Sequence, residues 1–376
     1  MRIYVVRRGD SLYSIARMYG TTVNAIQNAN SLTDPSRLSV GQALVIPGSA
    51  NPMLQMEVNG YAYPNISASV LNEALPYLTF LSPFSWQITP TGALTPIDDR
   101  RMISAAYAAG TAPLLTVTNI GEKGGFSSDI AHRLFTDQAV QDAFFANMLS
   151  VLRERRYYGV NLNIEYVYPF DRESYNGFLR RISEELHSRG YYLISNVAPK
   201  ISDTQSGILY EAHDYAAHGR YCDRVVVMTY EWGYTYSAPQ AISPVNRMRQ
   251  VLDYAVTRIP SGKILMGFSN YGYNWRLPHR QGQAATVISN TAAQNLAAAN
   301  YAEIRFDQRA QAPYFNYSDP SGVRHEVWFE DARSVRARLG LVSEYNLAGI
   351  SYWTINFSNR AGFNVLESMY TVEKIV

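Results

Sequence analysis

The sequence predicts an α/β chain in two parts: a (β/α)8 TIM barrel over residues 56–376 and, before it, a small β-α-α-β domain over residues 1–48. Three observations predict this. From residue 56 onward, eight strand-like apolar runs alternate with helical stretches, the signature of a parallel sheet wrapped by its own crossovers. The first 48 residues complete a hydrophobic pattern of their own. The join, Pro47-Gly48-Ser49-Ala50-Asn51-Pro52, disfavours continuing either a strand or a helix, so residues 49–55 read as a linker.

In the N-terminal part, a β-rich run from Ile3 to Val6 meets the turn Arg8-Gly9-Asp10. Ser11 then opens a helix on which Leu12, Ile15, Ala16 and Tyr19 recur at helical spacing, and Gly20 stops it. Thr21 or Thr22 caps a second helix carrying Val23, Ile26 and Ala29, a turn follows at Asp34-Pro35, and ALVIP closes the unit as a strand. The barrel strands are expected at 57–63, 78–86, 113–119, 159–167, 191–199, 224–232, 264–273 and 348–356. Amphipathic stretches at 129–156 and 174–190 supply helices. The interval between the seventh and eighth strands is too long for one helix. Its alternating run predicts a small α+β insertion, about 275–330, before a helix over 331–345.

Composition narrows the function classes. Lys+Arg is 33 against Asp+Glu 31, so no charge excess points to nucleic acid or an acidic membrane as partner. No apolar run reaches the length of a membrane span, and no membrane insertion is expected. The N-terminal MRIYVVRRGDSLYSIA has no apolar core of the secretory kind, so no conventional export signal is expected. Cys222 is the single cysteine, and the six histidines show no HExxH spacing, so neither a disulfide nor a metal site is expected and no cofactor is implied. The 29 Tyr, 14 Phe and 5 Trp are many; aromatic rings stack on the flat faces of sugars, though they serve equally as core.

The run Tyr158-Gly159-Val160-Asn161-Leu162-Asn163-Ile164-Glu165-Tyr166 carries the chemistry. In a strand, alternation puts Asn161, Asn163 and Glu165 on one face, which in a barrel is the interior, with Glu165 at the carboxyl-end mouth. Buried polar groups are costly, so this row is either a satisfied internal network or a working site. Glu231 and Asn270, at strand ends, are candidates for sugar hydroxyls, and Glu231 can equally pair with an arginine.

Two resemblances join these residues. YVVRRGDSLYSIARMYG, Asn28-x-Asn30 and LSVGQALVIPG resemble the LysM family, which implies a shallow groove for N-acetylglucosamine chains at Gly9, Asp10, Ser11 and Leu12 facing Asp34 and Pro35. Asp10 and Ser11 also suit helix capping, and both roles can hold at once. The fourth-strand run, Met228-Thr229-Tyr230, Tyr271-Gly272 and Trp353 resemble glycoside hydrolase family 18, and RFDQRAQAPYFNYSDPSGVRHEVWFEDARS resembles its spore-cortex branch. The resemblance implies a retaining N-acetylglucosaminidase or chitinase-like enzyme that acts on peptidoglycan or chitin-like polymers. Glu165 is then the general acid, Tyr230 holds the substrate's acetamide oxygen, Asn163 orients the acetamide, and Trp353 is the floor beneath the cleaved sugar. Asn161 and Tyr271 join Glu231 and Asn270 as substrate-binding candidates. Asn163 stands where the family carries Asp, so a glycan-binding protein without turnover is the alternative. The branch also implies deposition at the spore cortex or coat after synthesis in the mother cell.

Overall fold

Side-chain capping sets the N-terminal domain's helices. Ser11 accepts the Ser14 N–H and starts the helix Leu12–Tyr19, which Gly20 ends in a left-handed conformation; Thr22, not Thr21, caps Val23–Asn30. The strands Arg2–Val5 and Ala43–Ile46 pair antiparallel, and Ile15, Ile26 and Leu44 fill a small core between them and the helices. The computed structural model describes residues 1–49 and 52–376; residues 50 and 51 of the expected linker lie outside that range. The first barrel strand already begins at Leu54, inside the expected linker.

Eight parallel strands close the barrel: Leu54–Ala62, Phe80–Pro83, Ala112–Thr118, Gly159–Asn163, Tyr192–Val197, Arg224–Val227, Ile264–Ser269 and Gly349–Trp353, the last pairing back onto the first. All eight fall on the expected runs, but several are shorter, because the ends of those runs leave the sheet. A hairpin (Trp86–Ile88 with Leu94–Thr95) and a C-terminal strand (Tyr370–Val372, paired with Leu54–Met56) were not expected. The stretch 129–156 is two helices, Ser128–Thr136 and Gln138–Arg155, because Asp137 leaves helical geometry to cap the second. Among the described residues no helix is long and apolar enough to cross a membrane.

The insertion begins earlier than expected. Gly272–Leu277 is not the end of the seventh barrel strand but part of a separate five-stranded antiparallel sheet with Thr286–Ile288, Arg305–Asp307, Ala312–Ser318 and Arg324–Trp328. A glycine is required at 272, since a Cβ there would lie 2.4 Å from the Trp328 carbonyl oxygen. One edge of this sheet approaches the barrel mouth. The other reaches the N-terminal domain, where Ile304 N–H donates to the Val40 carbonyl at 2.9 Å.

Candidate active site

The barrel interior carries a polar layer whose members satisfy one another. Asn59 donates to Ser351 Oγ (2.8 Å), Ser82 donates to Asn59 Oδ1 (2.8 Å), Asn161 donates to Ser82 Oγ (2.9 Å), and Asn196 donates to Asn161 Oδ1 (2.7 Å). The Tyr61 hydroxyl closes the layer on Asn196 Oδ1 at 2.6 Å. Asn161 is therefore fully buried and spent inside this network, and does not reach substrate as expected. The network holds the fourth strand in place beneath its next polar residue.

Two positions on, Asn163 ends the strand and lines the mouth. Its Oδ1 is buried without a hydrogen-bond partner, and its side chain lies close enough to Glu165 to favour that carboxylate's charged form. Glu165 lies beyond the ladder, which stops at the Thr118–Asn163 pair, so it sits on the loop after the strand rather than on it. Burial pushes its carboxyl up to about 7, against a smaller downward pull from the Asn163 side chain. A carboxyl protonated near neutrality beside an unspent acceptor can give a proton and hold an N–H.

Both face a cleft of about 680 Å³ shared with Tyr61, Tyr230, Glu231 and Trp353. Trp353 ends the eighth strand and is fixed edge-on by Phe84 (4.8 Å between centroids), Tyr61 (5.4 Å) and Tyr63 (5.9 Å), which leaves the indole lining the cleft. Tyr230, just after the sixth strand, packs over Gly267. Glu231 takes a left-handed φ of 66°, and its carboxylate accepts from Tyr271 Oη and from Tyr273 Oη at 3.1 Å. Tyrosines, not an arginine, are its partners. Tyr271 is thus bound to Glu231 in an adjoining cavity of about 540 Å³, which also shares Trp353. No lysine, arginine or histidine among the described residues lines either cavity. Nor does any cluster of three His, Cys, Asp or Glu side chains among them offer a metal site.

Asn270 is not at the cleft. It is buried and donates to the Thr354 and Phe357 carbonyls (2.9 and 3.0 Å), so it braces the loop after Trp353. In the N-terminal domain, Leu12 is likewise a core side chain and offers no groove contact. Gly9, Asp10, Ser11, Asp34 and Pro35 stay at the surface: Asp10 accepts from Arg7 N–H and Tyr4 Oη (both 2.7 Å), Ser11 caps the helix, and Asp34 accepts from Ser36 N–H (2.9 Å). Sequence reasoning did not pick out Asn119 and His213, which hold the backbone around Glu165. Asn119 was signalled as the polar end of an apolar strand run. His213 lies in an irregular stretch with no periodicity to read.

Residues 114–357 match the family described as glycosyl hydrolases family 18, and residues 4–47 match the LysM domain. The chain is 39% identical to the cortical fragment-lytic enzyme of Bacillus subtilis over 100% of its own length and 99% of that protein's. It superposes on the crystal structure of the Bacillus cereus spore cortex-lytic enzyme SleL with a TM-score of 0.82 and 38% identity, covering 99% of this chain and 87% of that one. The chitinase of Chromobacterium violaceum is similar at 27% identity and a TM-score of 0.76, over 83% and 98% of the two chains.

Proposed function

The chain belongs to the glycosyl hydrolases of family 18, and on that premise we propose that it is a spore-associated glycosidase cleaving N-acetylglucosaminyl bonds of cortex peptidoglycan by substrate-assisted, retaining hydrolysis. The observation that carries this reading is the pairing of a Glu165 carboxyl held up to about 7 with the unpartnered Oδ1 of Asn163 in one aromatic cleft. Protonated Glu165 gives its proton to the glycosidic oxygen as that bond breaks. The substrate's own acetamide oxygen attacks the anomeric carbon from the opposite face, so no second carboxylate serves as nucleophile. Asn163 Oδ1 accepts the acetamide N–H, Tyr230 holds the acetamide oxygen, and Trp353 packs under the sugar. Glu165, now a carboxylate, takes a proton from the water that opens the cyclic intermediate, and configuration is retained. Glu231, fixed by Tyr271 and Tyr273, is placed for sugar hydroxyls. The LysM surface of Gly9, Asp10, Ser11, Asp34 and Pro35 adds one weak glycan site. Relatives named for cortex lysis support the substrate and the spore setting.

One observation favours a second reading, a glycan-binding protein that does not turn over: Asn163 brings no negative charge to a positively charged intermediate. Release of reducing ends from cortex fragments and chitin oligosaccharides separates the two. Release by the wild type that Glu165→Gln abolishes supports the hydrolase. Glycan retention with no release supports the binder.

A further inference from the structure

Ile164, Glu165 and Tyr166 follow the last rung of their strand, and Tyr166 takes a φ of 54°. A left-handed conformation is unfavourable for a residue that carries a side chain, and carbonyls beyond a ladder are left to find other partners. Here each of the three consecutive carbonyls is taken by a side chain from a different part of the chain. His213 Nε2 donates to the Ile164 oxygen at 3.1 Å, Asn119 Nδ2 to the Glu165 oxygen at 2.8 Å, and Ser128 Oγ to the Tyr166 oxygen. Asn119 Oδ1 also accepts the Glu165 N–H at 3.0 Å, so one amide side chain grips both backbone polar groups of that residue, and with them the peptide units on either side of it. The His213 tautomer is fixed by its other nitrogen: Ala198 N–H donates to Nδ1 at 2.9 Å, which makes Nε2 the N–H. The ring is 1% exposed, and burial lowers its pKa to about 4, so it stays neutral in this role.

We propose that His213, Asn119 and Ser128 are positioning residues that clamp the 164–166 backbone and so aim the Glu165 carboxyl into the cleft beside Asn163. The effect on turnover rests on the reading of Glu165 as the acid; the clamp itself does not. The contrast between His213→Asn and His213→Gln isolates the contact, because an Asn amide reaches the Nδ1 position and a Gln amide reaches the Nε2 position. Only the glutamine variant keeps a donor for the Ile164 carbonyl. His213→Asn is expected to lower kcat by about tenfold or more with KM little changed, since small misplacements of a reacting group weigh on turnover. His213→Gln is expected to restore most of that loss at a similar Tm. Backbone amide exchange over residues 159–170 should speed up in His213→Asn and not in His213→Gln. Equal loss of kcat in both variants, tracking Tm, or unchanged exchange in His213→Asn, overturns the clamp. A wild type that releases no reducing ends sinks the acid reading instead, and the exchange contrast still decides the clamp.

Discussion

The proton on Glu165 ties activity and stability to the same pH window. Its carboxyl is held near 7 in the folded chain against an ordinary 4.5. The folded state therefore binds that proton more tightly than the unfolded chain. The resulting stabilisation is complete below about pH 4.5 and lost as pH rises through 7. Glu165→Gln, uncharged at every pH, escapes that loss. Its stability relative to wild type should rise by about 1–3 kcal/mol between pH 4.5 and 8, read by denaturant titration at the two pH values. A constant difference would mean the carboxyl ionises at its usual pKa. Activity should show the same group as a fall in kcat/KM as pH rises through about 7, where the acid form disappears. Asn163→Asp places a like charge against Glu165 and should move that limb upward by about one unit in the pH–rate profile. A limb that stays put would separate the two side chains. At this scale the sequence was readable where alternation decides direction: Asn161 and Asn163 both point inward as expected. It was not readable where the consumer of a polar group lies far off in the chain. Nothing local distinguishes Asn161, absorbed by Ser82 and Asn196, from Asn163, left with an open acceptor.

The strands themselves show why the barrel was legible and its insertion less so. Each barrel strand is buried on both faces, by helices outside and by the packed interior within, so it reads as a mainly apolar run, broken where the interior is polar, as at Asn59, Asn161 and Asn196. Gly272–Leu277 follows the seventh strand after only two residues, and the apolar run continues across the break, which hides the change of sheet. The seventh strand also carries an element-level requirement that the run does not reveal. Gly267 lies where a Cβ would sit 2.7 Å from Tyr230 Cε1, 2.8 Å from Thr229 N and 2.8 Å from the Val227 oxygen. Two of these three neighbours are backbone and cannot swing aside, so the tyrosine ring must move. Gly267→Ala is expected to cost about 1–3 kcal/mol from overpacking and to lower kcat by about 10–100-fold through the displaced Tyr230. Steady-state kinetics beside a denaturation curve check this. Normal turnover in a destabilised variant would remove Tyr230 from the mechanism.

Across the whole molecule, the N-terminal domain behaves as part of the barrel rather than as a tethered module. Ala29, Ala43 and Val45 belong to the same buried cluster as the barrel's helices, while Ile15, Ile26 and Leu44 form the domain's own core. Polar contacts seal the seam. Arg333 donates to the Gly41 carbonyl (3.0 Å), Asn364 donates to the Ala29 carbonyl (3.0 Å), and Gln42 donates to Gln294 Oε1 (3.3 Å). The sequence of the join marks a linker but gives no sign of this coupling, because composition reports on the join and not on what the joined surfaces bury. Gly41 is the weak point of this seam. Its φ is 83°, and a Cβ there would fall 1.9 Å from the Ile304 oxygen, in the segment whose N–H bonds Val40. Because the buried cluster is continuous, the wild type should unfold in one calorimetric transition. Gly41→Ala must push the domain off the insertion, and should resolve an earlier transition or broaden the single one, with faster amide exchange over Ala43–Ile46. Turnover of soluble chitin oligosaccharides should change by less than about twofold, since distant sites without shared partners act independently, and two strands separate the edge strand Arg305–Asp307 from the Tyr273 strand. A wild type that already melts in two steps would show the shared core to be too weak to couple the domains. A large loss of turnover in Gly41→Ala would show instead that the insertion carries the domain's position through to the cleft.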